Sequence, residues 1–380
     1  MPFDHFRAIA ARLAQPLCLA LVVAVAWFLL DSAIFRSGFY YAGLAEPDSN
    51  AGSLTMRLMR AQRDATAEPS TVLVLGDSRV GEGFSSRLAQ SVAPSLNFVN
   101  VAVPGSRPRT WYYLLREMRQ RDVPFDAVVV GVPYRHLGGG VLADWRLDAT
   151  FMAPLVGLGD AWSFPDTFAS DSMRHRAMQT VWLPALTMQK DFQALVSAPL
   201  KRWRSLRSKR WWLENGAGYE GRDERMPELV FNAGSPGQWQ VVDWKDATDK
   251  QRQIVESHLQ DLAYAPRAEN DEFLGEWLEK VLELTREAGV PLIVYPNPRG
   301  PYPELLPKDE GLPPSLAALA KQPGAVVLPA DFLARLEAPE FFFDVLHANR
   351  EGRRITSEAV AREVAKVLGR EAANETGDGR

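Results

Sequence analysis

The stretch Thr71 to Arg79, TVLVLGDSR, restricts the possible folds more than any other part of the chain. Four apolar residues, Val72 to Leu75, run straight into Gly76-Asp77-Ser78. A short apolar run rich in β-branched residues and closed by a glycine reads as a strand buried on both faces. Such strands build parallel sheets, and open α/β sheets hold ligands just beyond the strands' C-terminal ends. Ser78 falls at that position.

The following residues keep an α/β rhythm. Asn97 to Val103 reads as a second strand closed by Pro104-Gly105, with Asn100 structural inside it. Arg107 to Arg121 carries apolar residues at 111, 114, 115 and 118, the spacing of one helix face. Ala127 to Val132 is a third buried strand. Near the other end, Asn270 to Ala288 predicts a helix capped by Asn270, with Phe273, Trp277, Val281 and Leu284 inward. Val290 to Tyr295 and Ala325 to Leu328 read as further strands, Leu316 to Gln322 and Arg353 to Leu368 as helices. Strands alternating with helices imply a parallel sheet with helices on its faces.

Two motifs at opposite ends of this unit carry chemistry. The first is Gly76-Asp77-Ser78. The second is FFFDVLHANREGRRIT, which holds Asp344 and His347 three residues apart. Together, GDS after a buried strand and D-x-x-H before a terminal helix resemble the SGNH (GDSL-type) hydrolase superfamily, over roughly residues 70–135 and 285–368. Asn349, Gly352 and Thr356 look like its membrane-anchored branch, which O-acetylates exopolysaccharides (the alginate acetylation proteins) or transfers D-alanine to teichoic acid. The resemblance implies a flavodoxin-like sheet and a catalytic Ser78, His347 and Asp344.

Those residue types suit the chemistry. A serine hydroxyl is a weak nucleophile until a base within hydrogen-bond reach takes its proton. His347 is the candidate base, and Asp344 would hold its ring through the other nitrogen. The spacing predicts that both lie on one face of a helical turn; Asp344 capping the terminal helix is the plain alternative. Asp77 reads as a turn-former. The superfamily's third block, G-x-N-D, supplies an oxyanion donor from its Asn, whereas this chain reads Gly131-Val132-Pro133-Tyr134-Arg135. The backbone N–H groups of Ser78 and Gly105 are candidate donors, with Tyr134, Arg135 or Arg79 as a third. Asn297, in Pro296-Asn297-Pro298-Arg299, is a candidate substrate contact, as is Arg299, and a loop-shaping role is the alternative.

The N-terminus adds a membrane. Leu17 to Leu30 is an apolar run of fourteen, extended by Leu13 and Ala14 past Gln15-Pro16. Arg7 and Arg12 precede it, which places the N-terminus in the cytoplasm and the remainder outside. An uncleaved signal anchor is preferred to a cleaved signal peptide, because Ala24-Val25-Ala26 lies inside the apolar run. A buried amphipathic helix fits least, the run being apolar on every face. The lone Cys18 excludes an internal disulfide framework. The five histidines lack metal-ligand spacing, so neither a metal nor a cofactor is expected. A net charge of −4 gives no pull toward nucleic acid.

The resulting expectation is a cytoplasmic tip (1–12), a transmembrane anchor (13–35), a tether with a short amphipathic helix at Leu54 to Arg63 (36–69), and one α/β domain (70–370). That domain carries a helical insertion over about 137–270, read as a lid near the site, and a disordered tail follows (371–380). The insertion holds KRWRSLRSKRWW, Lys201 to Trp212, whose first ten residues include six Lys or Arg. It reads as an anionic-lipid surface, a sugar-stacking groove, or an exposed basic helix resting its tryptophans on the core. The resemblance implies an inner-membrane, periplasm-facing O-acyltransferase acting on a polysaccharide, with a membrane-bound O-acyltransferase as partner. An anchored esterase or deacetylase and a catalytically silent glycan- or partner-binding subunit are the alternatives.

Overall fold

A computed structural model describes residues 2–133, 141–215, 218–232, 239–262, 268–305 and 311–372. The chain divides into two compact units, Met1–Gly52 with Ala149–Leu206, and Ser53–Asp148 with Arg207–Arg380.

The second unit is α/β. The helices and strands that build and cover its sheet include α1 (Asn50–Asp64, from Ser53 onward), β1 (Ser70–Gly76), α2 (Ser78–Gly83), α3 (Ser86–Val92) and β2 (Leu96–Asn100). These are followed by α4 (Pro108–Gln120), β3 (Ala127–Val132), α5 (Ala268–Glu287), β4 (Leu292–Pro296), β5 (Ala325–Val327) and α6 (Arg350–Val367). The five strands form one parallel sheet in the order β2-β1-β3-β4-β5. Successive side chains of a strand point to opposite faces. Val72, Val74 and Val129 thus share a cluster with Phe84, Val360 and Val364. On the other face α4 packs against α5, whose Phe273, Trp277, Val281 and Leu284 are all buried, as their spacing predicts. The strand order reverses beside β1, since β2 lies on one side and β3 on the other. That is the place where open α/β sheets bind ligands.

Several expectations change. The second strand is shorter than expected and ends at Asn100, although Val101 and Val103 still donate to Val74 and Gly76. Asn270 does not cap α5; it lies inside the helix and accepts from the Leu142 N–H at 2.9 Å. The stretch expected as a tether is folded, and the short helix expected in it at Leu54 to Arg63 is present as α1. Leu54, Leu58 and Ala61 of α1 are buried, because an amphipathic helix gains by covering its apolar stripe. Residues 36–52 are equally structured, within the first unit.

In that unit Pro16–Arg36 is long and apolar enough to cross a membrane, with a mean hydropathy of 2.4 over its most apolar window. The turn after it is pinned to the segment 149–206. Ala185 N–H donates to Asp31 at 2.8 Å, and Arg36 donates to the Trp182 carbonyl at 2.8 Å. Tyr40 donates to Asp191, and Arg202, only 3% exposed, bridges Asp191 and Glu46. The single insertion expected over 137–270 is therefore divided between the two units. Its basic helix, Pro199–Asn215, also reverses the plain reading. Trp203 and Trp211 face outward, 57% and 56% exposed, while Arg202 and Lys209 are buried.

Arg109 in α4 donates to Asp148 at 2.7 Å with both side chains wholly buried, and its guanidinium lies over the Phe273 and Trp277 rings. Removing one partner of such a pair strands a charge. Asp148→Ala is expected to lower the unfolding free energy by about 3–5 kcal/mol, whereas Arg109→Met with Asp148→Leu costs far less. Urea denaturation of the detergent-solubilised chain measures both; equal losses would contradict the pairing.

Candidate active site

Ser78 is the first residue of α2, two residues past the end of β1. Asp77 forms the turn between them: its Oδ1 accepts the Arg79 backbone N–H at 2.9 Å, a helix N-cap. Its Oδ2 pairs with the Arg79 guanidinium at 2.7 Å. Burial pushes the Asp77 carboxyl up, but the charge and hydrogen bonds of Arg79, with Arg107 beyond, outweigh it and hold the pKa below the usual range. Asp77 is the turn-former that the sequence indicates, and Arg79 directs its side chain to Asp77.

Two glycines let this turn sit low on the sheet. A Cβ on Gly76 would meet Val80 Cγ2 at 2.3 Å, and one on Gly131 would meet the same methyl at 2.4 Å. Gly131 also faces the Tyr295 ring, 2.7 Å from where its Cβ would be. Val80 occupies the space both missing side chains leave, and Ser78 is fixed two residues earlier. From the far side α6 holds the same helix. Arg353 donates to the Gly81 carbonyl at 2.9 Å and to that of Glu82, and Ser357 accepts the Ser85 N–H at 2.8 Å.

Asp344 and His347 lie not on a helical turn but in a tight loop closed by a bridge between Phe342 and Ala348. Asp344 Oδ1 accepts the backbone N–H groups of Leu346 and His347 at 2.8 and 2.7 Å, which shapes the loop. The cap of α6 is Asn349, whose side chain accepts from Glu351 and Gly352, so Asp344 is free of that task. Gly352 is required there, because a Cβ would come within 2.5 Å of the Phe341 carbonyl oxygen.

The three side chains meet. His347 Nδ1 lies 2.9 Å from Asp344 Oδ2, and its Nε2 lies 2.8 Å from Ser78 Oγ. Burial raises the Asp344 pKa, yet His347 and the two backbone N–H groups outweigh it and hold the carboxyl below its usual value. An ionised Asp344 only accepts, so His347 carries its proton on Nδ1 and leaves Nε2 to accept from the Ser78 hydroxyl. Phe343 stacks on the imidazole at 5.7 Å, and the Arg222 guanidinium covers the Phe343 ring at 4.5 Å.

Gly105 adopts φ +75°, open to a residue without Cβ, and its N–H has no partner among the described residues. Ser106 ties its loop to β1 by donating to the Gly76 carbonyl and accepting from Trp111 Nε1. The Ser78 N–H, in the first helical turn, has no intrahelical acceptor. Asn100 spends its amide on Val80, Phe84 and Ala102, a structural role. Asn297 is buried at the end of β4 and its Nδ2 is unpartnered among the described residues. Arg299 is bound to Glu337 and shapes its loop. Tyr134 and Arg135 lie outside the described residues. Among those residues no group of three or more His, Cys, Asp or Glu could hold a metal ion.

A cavity of about 990 Å³ opens beside Ser78, lined in part by Arg57, Arg222, Arg353 and Tyr219. Sequence reasoning missed these four and Phe343. The one available signal was the cationic i, i+3 spacing of Arg57 and Arg60 in LTMRLMRAQR. In comparison with known proteins, no family model matches the chain, and no curated protein matches it either.

A carboxyl with a depressed folded pKa stabilises the fold at every pH above its unfolded value, near 3.9, and ceases to do so as pH falls through the folded value. Asp77→Asn keeps a capping oxygen but removes the charge facing Arg79. It is expected to cost about 1–3 kcal/mol at pH 7, the gap to wild type narrowing below about pH 4. Thermal unfolding at pH 7 and pH 3 reads this out, and a gap independent of pH would refute it.

Proposed function

We propose that the protein is a membrane-anchored serine O-acyltransferase that moves an acyl group, acetyl by the family resemblance, onto a hydroxyl of a polysaccharide. The observation that carries this reading is the continuous hydrogen-bond chain Asp344–His347–Ser78 at the end of a central parallel strand. The strand order, that of flavodoxin-like sheets, and the pairing of Gly-Asp-Ser with D-x-x-H support an SGNH-type domain.

In the first half-reaction Ser78 Oγ attacks the carbonyl carbon of the acyl donor while His347 Nε2 takes the hydroxyl proton. The negative charge that develops on the carbonyl oxygen is met by the N–H groups of Ser78 and Gly105. Asp344 balances the imidazolium. The intermediate collapses to the Ser78 acyl ester, and the donor's leaving oxygen departs with the proton from His347. In the second half-reaction a sugar hydroxyl gives its proton to His347 and attacks the ester, and Ser78 recovers its proton as the product forms. The long apolar helix supports an anchor, and Arg7 and Arg12 before it favour a catalytic unit on the extracytoplasmic side of the inner membrane. A membrane-bound O-acyltransferase delivers the acyl group to it.

Water in place of the sugar would make the same site an esterase or deacetylase. A silent binding subunit is disfavoured, because an assembled acid–base–hydroxyl chain serves no purpose in binding alone. An active-site fluorophosphonate is expected to label the wild-type chain and not Ser78→Ala. Asp344→Asn should lower the rate of ester turnover by about 10⁴-fold. Faster turnover with an oligosaccharide acceptor, with the acyl group recovered on the sugar, separates transfer from hydrolysis; absent labelling refutes the acyl-enzyme.

A further inference from the structure

A helix that crosses a bilayer fixes the depth of whatever is bonded to it. Pro16–Arg36 has 21 residues, which at 1.5 Å each come to about 30 Å, the thickness of the hydrocarbon layer. Its outer end is not bare. The Arg36 side chain folds back along the helix, where its guanidinium lies over the Phe28 ring at 5.1 Å and its Nε donates to Ser32 Oγ at 3.1 Å. The same guanidinium donates to the Trp182 carbonyl at 2.8 Å, and Asp31 accepts the Ala185 N–H at 2.8 Å. The bend around residues 182–186 therefore stands level with the last turns of the span, not beyond its end.

The bend has the composition that depth requires. From Ala177 to Gln189 no residue carries a charge, and the exposed Arg176 and Lys190 flank the stretch. Met178, Trp182 and Leu186, spaced four apart, are 38%, 40% and 46% exposed. Scattered apolar residues on a surface need no explanation, but a run of them held against a membrane helix does. The backbone fits the same place. Leu183 N–H donates to the Gln179 carbonyl, Leu186 N–H to that of Leu183 and Met188 N–H to that of Pro184, while Pro184 itself has no N–H to satisfy. Thr180 and Thr187 tie the two sides of the bend by a hydroxyl–hydroxyl bond at 2.8 Å. Irregular backbone at membrane depth is tolerated only when its polar groups are answered within the protein.

We propose that the bend Trp182–Leu186 is a second membrane contact, a wedge seated in the leaflet that the anchor leaves at Arg36, with lipid as its occupant. The proposal rests on the anchor in the acyltransferase reading and adds to it that the membrane-proximal unit is held at two points. A unit held so cannot swivel about a single helix. Lipid is the occupant because the depth is set inside this chain, by bonds from the bend to the span. A tryptophan ring settles at the headgroup level. The cations on either side keep their heads in water while their stems cover apolar surface, and they complement anionic headgroups.

The test reads depth directly. The full chain carrying Cys18→Ala receives one new cysteine, by Trp182→Cys, Leu186→Cys or Val23→Cys, and an environment-sensitive fluorophore on it. Each labelled chain is placed in nanodiscs of phosphatidylethanolamine and phosphatidylglycerol. Val23, 61% exposed on the apolar helix, is the reference for the span itself. The Trp182→Cys and Leu186→Cys labels are expected to emit to the blue of the free dye and to be quenched by a lipid bearing a nitroxide near its headgroup. The Val23→Cys label should be quenched by a nitroxide deep in the acyl chain. Trp182 and Leu186 are both exposed, so neither exchange opens the core, and two positions guard against a local fault at one. Emission like that of the free dye at both, bleached by a reductant in the water, overturns the wedge. Lipid is the only neighbour in these discs, so a bend that is covered by a membrane protein instead gives that same negative result. If Val23→Cys is still quenched, that failure leaves the anchor standing, whereas an unquenched Val23→Cys removes anchor and wedge together. Fluorophosphonate labelling of Ser78 is independent of all these outcomes and tests the acyl-enzyme separately.

Discussion

Everything at the sheet edge depends on a steric vacancy. Gly76 and Gly131 sit opposite one another on β1 and β3, and the Val80 methyl fills the volume where their side chains would be. A larger residue at either position would lift the short helix α2 off the sheet. The 2.8 Å contact between Ser78 and His347 tolerates little of that, since hydrogen bonds weaken quickly with distance and angle. The same vacancy explains why the Tyr295 ring can come so close to Gly131 at the neighbouring strand end. Packing, rather than any bond to the serine itself, sets where the hydroxyl stands.

The second constraint comes from α6. One side chain, Arg353, closes the carbonyl end of α2 and also faces the cavity. The helix that holds the serine's turn in place is therefore the one entered directly from the Asp344–His347 loop. Position and charge are coupled in a single guanidinium, which ties the shape of the Ser78 turn to the electrostatics of the space beside it.

How much of this could be read from the sequence follows from how local each interaction is. Val72 to Leu75 and Ala127 to Val132 were legible because a strand covered on both faces needs an unbroken apolar run. Ser78, Asp344 and His347 were legible because their chemistry restricts the residue types. Asn270 misled because a distant backbone N–H, that of Leu142, claims the side chain a local rule assigns to a cap. Residues 36–52 looked like a tether because their partners Asp191 and Arg202 are about 150 residues away. Which way Trp203 and Trp211 face was left open in the sequence because their helix has no clear apolar face, and only the buried ion pairs of Arg202 show which side turns in. The cavity arginines were hidden for a related reason: α1 and α6 contribute them separately, and neither segment reads as a binding motif alone.

The hydroxyl and the imidazole that meet at 2.8 Å are separated by 269 positions in the chain. A ribosome therefore makes the serine 269 residues before the imidazole that meets it. Until then the nascent polypeptide carries an ordinary alcohol at position 78. A product that stops between residues 328 and 346 carries all five strand segments, yet its Ser78 hydroxyl has no imidazole to donate to.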